Sequence, residues 1–137
     1  MVGIVIVSHG DMADGVLDAA RMILGEQEGI ATVSLREMDA VEVLMERIAA
    51  AIEGVDTGDG VLIFVDLFGA SPFNASARLT MQADGNLEVV SGVNLPMLLE
   101  VTVQRDDASL AQLVEIAREA GTKGIRTLSE TLGKKPV

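Results

Sequence analysis

One histidine stands in this chain of 137 residues. His9 directly follows the apolar run Val2 to Val7, within Ser8-His9-Gly10-Asp11, and a helical pattern begins just after it. Gly10 would let the backbone come close to a ligand. The helix start would offer unpaired N–H groups and a positive dipole end to an anion. Asp66 is the second candidate, closing the apolar run Val61 to Val65. A carboxylate hydrogen-bonded to one ring nitrogen fixes the imidazole tautomer, leaves the other nitrogen as the nucleophile and stabilises the ring when a charged adduct forms. Ser71, ahead of Pro72, is placed to cap a helix. Beside His9, that capped start would add a second set of N–H groups for phosphate oxygens. Each residue also has a plainer reading. A lone histidine is commonly structural, an acid at a strand end is commonly solvated, and Ser71, Asn74 and Asn94 read as caps or turn residues.

Several chemistries are excluded by counting. A serine hydrolase would need a G-x-S-x-G elbow, and Gly69-Ala70-Ser71-Pro72-Phe73 lacks the second glycine. Enzymes that phosphorylate a histidine within Arg-His-Gly need that arginine and a second histidine, and here Ser8 precedes the sole His9. A two-histidine metal site is impossible. The chain has no cysteine, which rules out disulfides, thiolate zinc sites and thiol catalysis. Neither G-x-G-x-x-G nor a Walker A motif is present. What survives is one nucleophilic imidazole, an orienting carboxylate and a phosphate-friendly backbone, with no metal and no cofactor.

The elements around these residues alternate. Val2–Val7, Ile30–Leu35, Val61–Val65 and Leu87–Val90 read as strands. The first and third are continuous apolar runs, as expected of strands covered on both faces. Val16, Leu17, Ala20, Ile23 and Leu24 share one helical face that stops at Gly25. Asp39 and Glu42 sit in capping-box spacing before the stripe Val41, Leu44, Met45, Ile48 and Ile52. A helix is expected from Ser71 and Pro72 to about Gln82, another from Asn94 and Pro96 through Val103, and a third from Asp106 or Asp107 to Gly121. Ile125–Leu128 reads as a last strand, and 133–137 as a polar tail. The β-α alternation predicts an α/β fold: an open, mostly parallel, doubly wound sheet with helices on both faces. Ligands of such sheets sit at the carboxyl ends of the strands, and the first and third strands are commonly neighbours there. Both rules bring His9 and Asp66 toward each other.

Composition narrows the partners. Lys plus Arg number 10 and Asp plus Glu 21, a net charge of −11. That excess repels phosphate backbones and anionic lipid, so the expected partners include no nucleic acid and no membrane, and a basic protein surface fits better. Aromatic residues are only 2%, which also argues against base stacking. The apolar start lacks a basic flank and a cleavage-type ending, and no apolar run approaches a membrane span. The expectation is a single cytoplasmic domain over 1–137.

Three segments carry a resemblance. Ile4-Val5-Ile6-Val7-Ser8-His9-Gly10, then Val65-Asp66-Leu67-Phe68-Gly69-Ala70-Ser71-Pro72-Phe73-Asn74, then Gly92-Val93-Asn94-Leu95-Pro96-Met97 are similar to the IIA domain of the mannose family of the bacterial phosphoenolpyruvate-dependent phosphotransferase system. The resemblance implies that His9 is phosphorylated by the phosphocarrier HPr and passes the group to a IIB partner. It implies that Asp66 orients the ring, and that Ser71 lines the phosphate site. It also implies a homodimer that exchanges the C-terminal strand, here Ile125–Leu128. The family often has Gly-Gly-Ser-Pro where this chain has Gly69-Ala70-Ser71-Pro72. Because the sequence ends near Val137, the IIB partner is expected to be a separate protein, serving sugar transport or a regulatory relay.

Two other readings compete. A receiver-like signalling domain would be phosphorylated on Asp66, but it wants an acidic pair after the first strand, where Ser8 and His9 stand, and a lysine at the end of a fifth. A binding module of the same fold would use the Phe68–Phe73 loop as a contact surface, since fold alone does not fix function.

Overall fold

The computed structural model describes residues 1–133, so the expected tail beyond Gly133 lies outside the described residues. Four strands, β1 (Gly3–His9), β2 (Ile30–Leu35), β3 (Val61–Val65) and β4 (Leu87–Ser91), form one parallel sheet in the order β2-β1-β3-β4. Among the described residues there are six helices, α1 (Met12–Leu24), α2 (Val41–Val55), α3 (Ser71–Gln82), α4 (Leu95–Gln104), α5 (Leu110–Lys123) and α6 (Leu128–Leu132).

Alternation along β1 and β3 divides the core. Ile4, Ile6, Leu62 and Phe64 face one way and pack with Ala13, Leu17 and Ala20 of α1, Leu98 and Val101 of α4, and Leu113 and Ala117 of α5. Val5, Val7, Ile63 and Val65 face the other way and pack with Leu44 and Ile48 of α2 and Ala75 of α3. Both central strands are buried on both faces, which is why they read as unbroken apolar runs. With almost no aromatic side chains, the layers are filled by branched aliphatic residues.

Local capping differs from the expectations at several places. α2 is opened by Ala40, not Asp39, because the Asp39 carboxylate accepts the Arg36 N–H at 2.8 Å and pairs with Arg47. α3 is opened by Ala70 in extended backbone without a side-chain cap, so Ser71 is the first residue of the helix rather than its cap. α5 starts after Ser109, whose side chain and Gln112 form a reciprocal capping box in place of Asp106 or Asp107. Asn94 does cap α4, its Oδ1 accepting the Met97 N–H at 3.0 Å. Gly121 does not end α5. It lies buried within it, where a Cβ would come within 2.7 Å of Met97 Cε, so its role is to let α4 and α5 approach. Ile23 and Val41, expected inward, are exposed.

The largest correction concerns Ile125–Leu128, which is not a strand. Leu128 opens α6, capped by Thr127 and Glu130 in a capping box and closed by Gly133 in the left-handed region. The spacing Thr-x-x-Glu outweighs a four-residue pattern in which only Ile125 and Leu128 are apolar.

Candidate functional site

The β1–β3 register pairs Val7 with Val65, so the two strands end side by side and the residues that follow them meet. Asp66 reaches back to His9 and holds it twice. Its Oδ2 accepts the His9 backbone N–H at 2.9 Å and lies 2.7 Å from His9 Nδ1. Since an ionised carboxylate only accepts, the ring carries its proton on Nδ1 and presents the lone pair of Nε2. The pair is asymmetric in burial: the His9 side chain is 51% exposed and the Asp66 side chain 11%. Burial pushes the Asp66 carboxyl upward. The hydrogen bonds from the His9 backbone N–H and from the ring outweigh it and hold the carboxyl below its usual value. Asp66 is therefore ionised at neutral pH, with the ring as its counterpart. Its buried Oδ1 has no hydrogen-bond partner among the described residues.

Gly10 and Ser71 share an open depression of about 600 Å³ with His9, Leu35, Arg36, Glu37, Asp39 and Val41. Gly10 has φ +53° and open space where a Cβ would stand, which suits a close approach, but its own N–H donates to Leu35 O at 2.9 Å. What Gly10 offers a ligand is room rather than a donor. At the start of α3, Pro72 has no N–H, and the first intrahelical bond runs from Asn74 N–H to Ala70 O at 2.9 Å. That leaves the Ser71 and Phe73 N–H groups ahead of it as the unpaired donors of that end. Ala70 sits at φ −84°, so an alanine in place of glycine is unstrained. Gly69, at φ +81°, needs its freedom, and Asn74 Nδ2 donates to its carbonyl at 3.0 Å. Asn74 is thus a turn-holding residue. On the rim, Leu67 and Phe68 are exposed, and the Phe68 and Phe73 rings lie 4.4 Å apart.

Two residues escaped the sequence reading. Ser8 is fully buried, and its Oγ accepts the Ala13 N–H at 2.7 Å, tying the first turn of α1 to the end of β1. The spacing of five residues departs from the usual capping interval. Arg36 follows β2, lines the depression and pairs with Asp11 at 2.7 Å. The carboxyl-end rule, applied to the second strand as well as the first and third, would have found it.

Asp66 does not resemble a receiver's phosphate acceptor: one oxygen is committed to two His9 donors and the side chain is nearly buried. Among the described residues there is no group of three His, Cys, Asp or Glu side chains placed to hold a metal ion, and no helix long and apolar enough to cross a membrane.

Comparison with known proteins points the same way as the geometry. A family model described as "PTS system fructose IIA component" matches residues 3–118. The chain is 41% identical over 128 residues to the mannose-specific EIIAB component of the phosphotransferase system of Escherichia coli K12, covering 93% of this chain and 39% of that protein. It therefore spans well under half the length of that relative. It is 30% identical over 134 residues to the fructose-specific EIIA component of Bacillus subtilis, covering 98% of this chain and 91% of that one. The crystal structure of phosphotransferase system component EIIA from Streptococcus agalactiae matches with a TM-score of 0.88 at 28% identity, over 95% of this chain and 99% of that one.

Proposed function

The chain belongs to the mannose and fructose IIA family of the phosphotransferase system, and from that membership we propose that it is a cytoplasmic phosphoryl carrier working through His9. The observation that carries the reading is the half-exposed His9 ring held at Nδ1 by a nearly buried, ionised Asp66, 2.7 Å away. Nε2 attacks the phosphorus of phospho-HPr in line. The new P–N bond forms as the bond to the donor's nitrogen breaks, and the departing nitrogen keeps the electron pair. Because such a transition state is loose, the protein contributes positioning and electrostatic stabilisation rather than further covalent chemistry. Asp66 keeps the proton on Nδ1 and balances the positive charge that the ring gains when Nε2 is phosphorylated. Ser71 and the start of α3 lie beside the ring as donors for phosphoryl oxygens, and Gly10 leaves the space they need.

The same attack in reverse hands the group to a IIB partner, in sugar uptake or in a regulatory relay. Residues 1–137 act as a single domain in this scheme, and a second copy completes a homodimer.

Incubation with phosphoenolpyruvate, enzyme I and HPr, followed by mapping of the labelled residue, tests this. The expected result is one phosphate on His9, stable in alkali and lost in acid. Label on Asp66, cleaved by hydroxylamine, would replace the reading with the receiver one. A folded protein that takes no label would favour a binding module.

A further inference from the structure

A phosphoryl group on His9 would bring about −1.5 to −2 of charge to a protein already at −11, and would set it beside an ionised carboxylate. A cation within reach would offset that. Among the described residues lining the depression around His9, one side chain is basic: Arg36. It stands there because of register. His9 pairs with Leu35 across β1 and β2, so Arg36 leaves the sheet one residue beyond His9's own neighbour, strands in a sheet being about 4.8 Å apart. Arg47, the other arginine close by, is already committed to Asp39 and to the Ser34 carbonyl.

In the unphosphorylated protein the Arg36 guanidinium pairs with Asp11, two residues past His9, at 2.7 Å, and the Asp14 and Asp39 charges lie near it. Both partners of that pair are exposed. Exposed pairs of this kind contribute little to stability, so exchanging the partner costs little. A phosphoryl group offers three oxygens in a geometry that a guanidinium fork can grip at two points, and its charge exceeds that of one carboxylate.

We propose that Arg36 is a phosphoryl-binding residue that leaves Asp11 for the oxygens of phosphorylated His9, so that Asp11 competes with the phosphoryl group for the same guanidinium. The proposal rests on the His9 carrier reading. Its consequence is that the Arg36–Asp11 pair sets how far the transfer equilibrium lies toward the phosphorylated protein, which neither His9 nor Asp66 does alone.

The test measures the phosphorylated fraction at fixed ratios of phospho-HPr to HPr for the wild type, Arg36→Ala, Arg36→Lys, Asp11→Asn and the Arg36→Ala/Asp11→Asn double variant. Arg36→Ala should lower the transfer equilibrium constant about tenfold, and Arg36→Lys should fall between it and the wild type. Asp11→Asn should raise the constant about threefold, by removing the competitor. The double variant should match Arg36→Ala, because Asp11 then has nothing to hold. The phosphohistidine phosphorus resonance should shift in Arg36→Ala. A merely structural pair would give both single variants the same sign. Equal constants in all variants, or slower transfer in Arg36→Ala with an unchanged constant and resonance, would overturn the proposal. The second pattern would make Arg36 a contact for HPr. Failure of the wild type itself to take label on His9 would instead bring down the carrier reading on which the proposal rests.

Discussion

The two ends of the parallel sheet each hold a charged side chain against backbone, and they do so in opposite ways. At the carboxyl end, Asp66 accepts the His9 N–H and turns its second interaction onto a ring that is half in solvent. At the amino end, Arg105 is 2% exposed, and its guanidinium donates to the carbonyls of Val2, Glu28 and Gly29, which lead into β1 and β2. Burial pushes the Arg105 guanidinium below its usual value, with Asp106 opposing, and three carbonyls bind it. One charge holds a half-exposed ring; the other is buried and donates to backbone carbonyls at the start of two strands. The sheet is thus tied to a buried cation at one end and carries an open, half-exposed ring at the other, the end where loops after the strands form the binding crevice in such sheets.

Four experiments would break or sharpen that contrast. The largest effect belongs to His9→Ala, which should abolish labelling through phosphoenolpyruvate, enzyme I and HPr while costing no more than about 1 kcal/mol of stability in urea unfolding. Labelling that survives would remove the functional half of the contrast. Asp66→Ala should slow phosphorylation on the order of a hundredfold, read in a rapid-quench assay, with the fold retained by circular dichroism. An unchanged rate would mean that the ring needs no orientation.

At the other end, Arg105→Met should lower stability by about 2 kcal/mol, because the Val2, Glu28 and Gly29 carbonyls each lose a hydrogen bond from the guanidinium, while the labelling rate of the folded protein stays at the wild-type value. A labelling defect with stability intact would invert the assignment of the two ends. The smallest effect is one of pH. The folded Asp66 carboxyl lies below its ordinary 3.8, so its contribution to stability is present above the unfolded value and is lost as pH falls through the lower folded value. Unfolding free energy followed from about pH 5 to about pH 3 should therefore fall less steeply for Asp66→Asn than for the wild type. Parallel acid limbs would show that His9 does not stabilise the carboxylate.

Much of this was legible before any coordinates. Four strands and the helices between them follow from apolar runs and helical spacing, since a strand covered on both faces shows no alternation and an amphipathic helix shows its stripe. His9 and Asp66 stood out because each ends such a run. The errors cluster where short-range signals compete. Asp39 carries the spacing of a cap but spends its carboxylate on Arg36 and Arg47. Ile125–Leu128 carries apolar residues but yields to the Thr127–Glu130 box. Gly121 carries a stop signal but serves helix contact.

By itself, then, the sequence determined which atoms were on hand for chemistry, a lone imidazole and few aromatics under a large negative charge, and the alternation that makes a parallel sheet. Only the tertiary structure decided which groups touch. The hydrogen bond from His9 to Asp66 spans 57 positions, and the one from Arg36 to Asp11 spans 25. Contacts at such separations follow from strand order and register, which are settled by how whole faces pack, and no window of neighbouring residues contains that information.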